Sequence, residues 1–350
     1  MSVQRLEYIG SKFKLLDWIT EKIKEKTEIE GKVFGDLFSG TGIVGHHFRK
    51  LGCVTLVNDA ETYSRIIGHA MTISVYTDKC KKFIELLNNE LENKLHATEL
   101  GFITANYSPC GECERMFFTE DNARRIDYIR RRLVDSEGNF NEDENKFLLA
   151  SLLMAADKVS NVTSVYGAYL KQFKKRSLEP LVIVPVHELT ELANPGSAST
   201  KKNVLDGIEA RLDIAYLDPP YNNRQYSKNY FPLNMIAIKD KHPRIKGKTG
   251  IPLDCFISPF CKKNEVEGAF KQLFDILDAE WVFLSYSSES LVSKDRMIEL
   301  MTEFGEVTVE ERDYKRFKSA SYNEDKNVIE YLFCLKKIPR SSSYTCRSGV

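Results

Sequence analysis

Apolar residues recur at Phe13, Leu15, Leu16, Trp18, Ile19 and Ile23, a spacing that lays them along one face of a helix opened by a Gly-Ser turn. The pattern then changes. Val33 to Phe38 reads as a strand, Ser39 to Gly42 as a tight turn, and Ile43 to Leu51 as a helix closed by Gly52. "CVTLVND" follows as a second strand ending at Asp59, so strand, glycine turn, helix and strand make one βαβ unit. From about Tyr63 to Asn93 the spacing is helical. "FTEDNARRIDYIRRRL" has a Thr119 start signal with acids in its first turn and bases in its last, and "ENKFLLASLLMAADKVSN" is a further amphipathic helix. Residues 188–203 are a polar connector rich in Ser, Thr and Asn. Asp213 to Leu217, mostly apolar and flanked by charge, predicts a strand buried on both faces of a sheet. A strand near 281–288, a helix near 294–304 and two strands at "EVTVEERDY" and "NVIEYLFCL" complete the pattern. The polar loop between those last two predicts an antiparallel pair at the end of a mixed sheet in an α/β protein.

Length adds a bound: 350 residues suit one extended domain with an inserted or appended smaller one. Fifty basic and fifty acidic residues give a formal net charge of zero, so a nucleic-acid partner has to be argued from local patches. No stretch approaches the ~20 apolar residues of a membrane span. Met1 to Lys12 lacks the apolar core of a signal peptide, so a cytoplasmic location is expected. Cysteines stand at 53, 80, 110, 113, 255, 261, 334 and 346, and in such a chain they are expected to remain thiols. Only Cys110 and Cys113 make a C-x-x-C. A structural zinc normally takes four ligands, the other cysteines are distant in sequence, and the pair therefore reads as a solvent-side loop with no metal expected. The Ser/Arg-rich tail from Pro339 onward is expected to be disordered.

The chemistry concentrates at two strand ends. In "IAYLDPPYNNRQYSKNY", Pro219 and Pro220 remove two successive amide donors and end the ladder, leaving the Asp218 carboxylate and the Pro219 carbonyl as acceptors. Ligands of open α/β sheets bind at this end of the strands. With the Tyr221 ring beside them, these acceptors suit a flat base bearing an amino group; the competing reading is a sharp polar turn with an ordinary buried tyrosine. The second end is "GTGIVG", Gly40 to Gly45, followed by Asp59 at the distance of a ribose-binding acid. That architecture serves nicotinamide, flavin and S-adenosylmethionine (SAM) enzymes alike, and a turn needed only for helix packing competes with all three. Asp36, three residues before the turn, favours SAM. A carboxylate there is poorly placed beside a pyrophosphate but can pair with the ammonium of a methionyl group.

"YIGSK" at 8–12, "DLFSGTGIVG" at 36–45, "ND" at 58–59 and "DPPY" at 218–221, in that order, resemble the landmarks of the adenine-specific DNA methyltransferases of the alpha group. The resemblance spans roughly 1–70 and 205–335. It implies a Rossmann-like methyltransferase sheet built from 1–74 and 205–338, an inserted, mainly helical target-recognition region at 75–204, and the tail at 339–350. Carried over by position, Tyr8 and Lys12 would lie at or near the methionyl end of SAM, and Asp36 would face its amino group. Phe38, Ser39, Gly40, Thr41 and Gly42 would line the cofactor turn, and Asp59 would bind the ribose. Asp218, Pro219, Pro220 and Tyr221 would hold an adenine flipped out of double-stranded DNA. Lys171, Lys174 and Lys175, interleaved with aromatic residues, are candidate phosphate contacts, with a solvated charged face as the competing reading. Arg224 and Tyr226 are candidates because they adjoin the tetrad. The family further implies a restriction-modification system with a cognate restriction endonuclease. Competing functions are methyl transfer to an amino group of RNA or another planar amine, a catalytically silent nucleic-acid-binding protein, and a nicotinamide dehydrogenase, for which no general acid is evident.

Overall fold

The computed structural model describes residues 4–238, 241–315 and 327–339. The N-terminal segment starts with a 3-10 turn over Lys12–Leu15 and continues as α1 (Leu16–Lys24), which buries Leu16, Trp18, Ile19 and Ile23. Phe13 departs from the helical pattern: it stands in the 3-10 turn and is 42% exposed, with the Arg5 guanidinium 4.1 Å from its ring centroid. Then come β1 (Val33–Asp36), α2 (Ile43–Lys50) and β2 (Val54–Asn58), the predicted βαβ unit. The helical stretch from 63 to 93 is two helices, α3 (Thr62–Thr72) and α4 (Asp78–Glu92). The second starts where the Thr77 side chain accepts from the Cys80 amide. A short α5 (Phe102–Tyr107) precedes α6 (Glu120–Asp135), capped by Thr119 as the sequence indicates, and α7 (Glu142–Lys158), which opens with an Asn141–Glu144 capping box.

The polar connector contains β3 (Ala198–Thr200), an edge strand paired in parallel with β2. Next are β4 (Leu212–Leu217), α8 (Tyr226–Asn229) and α9 (Phe231–Ala237), a two-residue ribbon of β5 (Ile245–Lys246) and β6 (Ile251–Pro252), and α10 (Val266–Ile276). The chain continues through β7 (Ala279–Ser287), α11 (Lys294–Thr302), β8 (Gly305–Lys315) and β9 (Asn327–Lys337). The main sheet has seven strands in the order β3-β2-β1-β4-β7-β9-β8. The first five are parallel, and β9 runs antiparallel to both β7 and β8, the predicted pair at the end of the sheet.

Alternation along the strands divides the core between the two faces of the sheet. Ile214, Tyr216, Phe283, Leu332 and Cys334 face a cluster that runs without a break through α1, α2, α3, α4, α6, α7 and α9. Ala215, Leu217, Val282, Leu284, Phe333 and Leu335 face α10 and α11. The helices of 75–204 thus share the sheet's own core on one side, and the same stretch supplies the β3 edge. Among the described residues no helix is long and apolar enough to cross a membrane. All of the expected tail at 339–350 except Pro339, and the segment 316–326 between the last two strands, lie outside the described residues.

Candidate active site

β2 and β4 flank β1 on opposite sides, so the connections leaving them part in opposite directions and open a crevice at the carboxyl ends of β1 and β4. Asp36 ends β1, and Asp218 follows the last residue of β4. One cleft at that crevice is lined by Tyr8, Lys12, Asp36, the whole turn from Phe38 to Thr41, Asp59 and Asp218.

The turn is shaped by backbone contacts. Gly42 has φ +69° and caps α2, and a Cβ there would lie 2.9 Å from the Gly68 Cα on α3, so a left-handed conformation and a close approach both require glycine. A Cβ on Gly45 would meet Thr72 and Val57 at 2.6 and 2.8 Å, which lets α2 sit tightly on the sheet. Gly45 in turn donates its amide to Asp36 Oδ2 at 3.0 Å. Asp36 is 1% exposed, and burial pushes its carboxyl up to about 8 despite the Gly45 bond, with Asp218 and Asp59 adding like-charge repulsion. A buried acid that faces a cleft, with no ion-pair partner among the described residues, fits the ammonium end of an amino-acid ligand. Asp59 accepts from the Gly40 amide through Oδ2 and from the Glu61 amide through Oδ1, both at 2.9 Å, and so ties the turn to the end of β2.

Glu61 is a site residue that the sequence reading passed over. It is buried in the cleft wall, accepts from Asn234 Nδ2 at 2.5 Å, and its carboxyl is pushed up to about 7 by burial. The available signal was its place two residues beyond Asp59, immediately before α3.

The "YIGSK" segment bridges the two strand ends. Tyr8 stacks on Tyr230 with centroids 4.6 Å apart and lies against the turn, where a Cβ on Gly40 would come within 3.1 Å of its ring. Tyr230 Oη accepts from the Ile9 amide and Tyr226 Oη donates to the Ile9 carbonyl, pinning the segment to the region after the tetrad. Lys12 turns toward the tetrad. It is 4% exposed, and its Nζ stands 3.2 Å from Asp218 Oδ1 and 2.5 Å from Glu330 Oε1. Burial opposes its charge, yet the two carboxylates hold it protonated above the usual lysine range. The Asp218 carboxyl is pushed up to about 6 by burial, with Lys12 pulling it down and Glu330 pushing it up.

Beyond the tetrad, Asn222 Oδ1 accepts from the Arg224 amide, and Gln225 exchanges two hydrogen bonds with the Ser258 backbone. Ser227 Oγ donates to the Phe256 carbonyl, so Phe256 and Ser258 join the cleft wall from a loop with no sequence signal. Tyr221 is half-buried, with Lys12 Nζ 5.9 Å from its ring centroid, and Arg224 is exposed. Lys171 and Lys175 are exposed and stand outside the cleft lining, while Lys174 Nζ donates to the Val162 carbonyl. Their segment is fastened beside α8 by the Tyr166 amide, which donates to the Asn229 carbonyl at 2.7 Å. Cys110 and Cys113 are exposed thiols, and among the described residues no three His, Cys, Asp or Glu side chains are placed to hold a metal ion.

The chain is 41% identical over 333 residues to the type II methyltransferase M.CviAII of Paramecium bursaria Chlorella virus 1, covering 95% of this chain and 98% of that protein. It is 36% identical to the type II methyltransferase M.NlaIII of Neisseria lactamica, over 95% of this chain and 99% of the relative. It is 37% identical to the type II methyltransferase M.FokI of Planomicrobium okeanokoites, where the match spans 95% of this chain and 53% of the longer relative. A family profile matches residues 8–300, and with it the chain belongs to the D12 class N6 adenine-specific DNA methyltransferase family.

Proposed function

We propose that this protein transfers a methyl group from SAM to the exocyclic amino group of adenine in a specific duplex DNA sequence, as the modifying partner of a cognate restriction endonuclease. The observation that carries the reading is the meeting of Asp36, the glycine turn and Asp59 with Asp218 in one cleft. The order of the Y-x-G-x-K segment, the glycine turn and D-P-P-Y along the chain supports assignment to the alpha group. Bound SAM supplies an activated sulfonium methyl. Asp36 receives the ammonium, Phe38 to Gly42 line the methionyl path, and Asp59 binds the ribose with Glu61 beside it. The Asp218 carboxylate and the Pro219 carbonyl accept the two amino hydrogens of the base. They draw the nitrogen lone pair out of conjugation and stabilise the positive charge that develops on nitrogen. Tyr221 stacks on the base, and Tyr226 and Arg224 flank the mouth. The test is incubation of duplex DNA with labelled SAM: N6-methyladenine at one sequence supports the reading, and label on RNA alone or on no acceptor defeats it.

Asp36 sets a pH dependence. In the free protein its carboxyl holds a proton up to about pH 8, whereas pairing with an ammonium requires the ionised form. SAM affinity is therefore expected to strengthen as pH rises from about 6 to 7.5, with proton release on binding. Calorimetry in buffers of different ionisation enthalpy measures that release. Glu61 titrates in the same range, so the Asp36→Asn variant, which loses the Asp36 share, separates the two.

Residues 75–204 form the proposed target-recognising region. Among the described residues, Lys171 and Lys175 are the exposed lysines of its basic run, whereas Lys174 donates to the Val162 carbonyl and Arg176 is paired with Glu7. Replacing both with glutamine is expected to flatten the slope of log affinity for DNA against log salt by about 2. SAM affinity stays unchanged in the same titrations.

A further inference from the structure

Three residues from distant parts of the chain meet at the cleft wall: Lys12 from the N-terminal segment and Glu330 on β9, both buried, and Asp218 after β4, whose side chain is 19% exposed. Glu330 is 6% exposed, and its Oε1 also receives the Ser285 hydroxyl from β7 at 3.3 Å. A lysine paired with Asp218 alone would be the less costly arrangement, because every further buried carboxylate brings its own desolvation cost and repels the first. The trio instead carries one positive and two negative charges, and Lys12 stands nearer to Glu330, at 2.5 Å, than to Asp218, at 3.2 Å. We propose that Glu330 is a positioning residue for methyl transfer: by drawing Lys12 toward itself it fixes one Asp218 oxygen while keeping the acceptor end of the tetrad net negative.

The inference rests on the reading of Asp218 as the amino-group acceptor. A nitrogen that gains positive charge is stabilised by an acceptor whose own charge is not cancelled, and a Lys12 committed to Asp218 would cancel it. Lys12 thus orients the carboxylate, Glu330 limits the neutralisation, and Ser285 orients Glu330. The other groups facing Asp218 are Asp36 across the cleft and the rings of Tyr216, Tyr221 and Tyr226. Arg312 stands opposite Glu330 in the β8–β9 register, but its guanidinium lies 5.9 Å from the Trp18 ring centroid.

The experiment is single-turnover methyl transfer to duplex DNA from labelled SAM, followed across pH, with SAM affinity measured in parallel. E330Q keeps the shape and removes the charge. It is expected to lower the plateau rate by about 10- to 100-fold with SAM affinity unchanged, and to move the acid limb set by Asp218 to lower pH because a like charge has gone. E330D, which restores the charge, is expected to leave the acid limb in place and to recover part of the rate. S285A keeps every charge and is expected to slow the step by about 2- to 5-fold with the same acid limb. An E330Q rate within twofold of the natural protein overturns the proposal, as does equal loss in E330Q and E330D with the limb unmoved. Should E330Q not fold, an S285A rate equal to the natural one overturns it instead. Natural protein that methylates no DNA defeats the underlying reading before any variant is made, so the two failures are distinct.

Discussion

Asp218→Ala is expected to lower the rate of methyl transfer by about a thousandfold while SAM still binds, because the interaction removed belongs mainly to the transition state. The surroundings of Asp218 make this variant a clean one. Lys12 keeps Glu330 as its partner, so truncation leaves a neutral buried pair and not a stranded cation, and folding is expected to persist. Asp218→Asn is the more searching replacement. Its amide can present a donor to the amino group, and with the oxygen turned inward it still lacks the charge that meets the developing cation. Tyr221→Ala, by contrast, is expected to cost about 1–3 kcal/mol of base stacking, and Tyr221→Phe little. Labelled-SAM turnover on duplex DNA, with a SAM titration of each variant, reads all of these. Near-normal turnover by Asp218→Ala would leave the strand tip as an ordinary polar turn.

Lys12→Met is expected to have the largest effect on stability. It leaves Glu330 buried without its cation and beside the partly exposed Asp218, and breaking a buried pair such as Lys12–Glu330 costs about 3–5 kcal/mol. The loss depends on pH. The Asp218 carboxyl, at about 6 with Lys12 present, moves further up without it. A carboxyl whose folded value is raised contributes stability that is present at low pH and is lost as pH rises through that value. Urea unfolding of Lys12→Met is therefore expected to give a higher midpoint at about pH 5 than at about pH 7.5. A midpoint equal to that of the natural protein at both pH values would mean that Lys12 reaches solvent.

What could be read ahead of the structure was whatever is local. Near-continuous apolar runs across Ile214 to Leu217 and Val328 to Leu335 declare strands because a short run flanked by charge is what a strand buried on both faces of a sheet requires. The glycine turn and the double proline declare themselves through backbone restrictions carried by single residues. β3 escaped because three residues of Ala, Ser and Thr at a sheet edge bury too little to leave a pattern. The 63–93 stretch reads as helical without a visible break because both halves keep the helical spacing, and the Thr77 cap marks the start of the second helix. Glu61 and Glu330 escaped for another reason. An acid in the sequence reads as solvated, and its burial follows from partners, Asn234 for one and Lys12 for the other, that only the tertiary fold supplies. The sharing of one core by 75–204 and the sheet is likewise a tertiary fact, since an apolar helix face does not say which surface it will meet.

The Lys12–Glu330 contact joins positions 318 residues apart. Contacts of such separation form late, since the entropy of closing the intervening chain is lost before they repay it. A ribosome delivers the lysine, the glycine turn and the tetrad well before it delivers β9, so Asp218 becomes available to Lys12 earlier than Glu330 does. β9, the last strand among the described residues, then inserts between β7 and β8, two neighbours already made, and only that insertion brings Glu330 to Lys12.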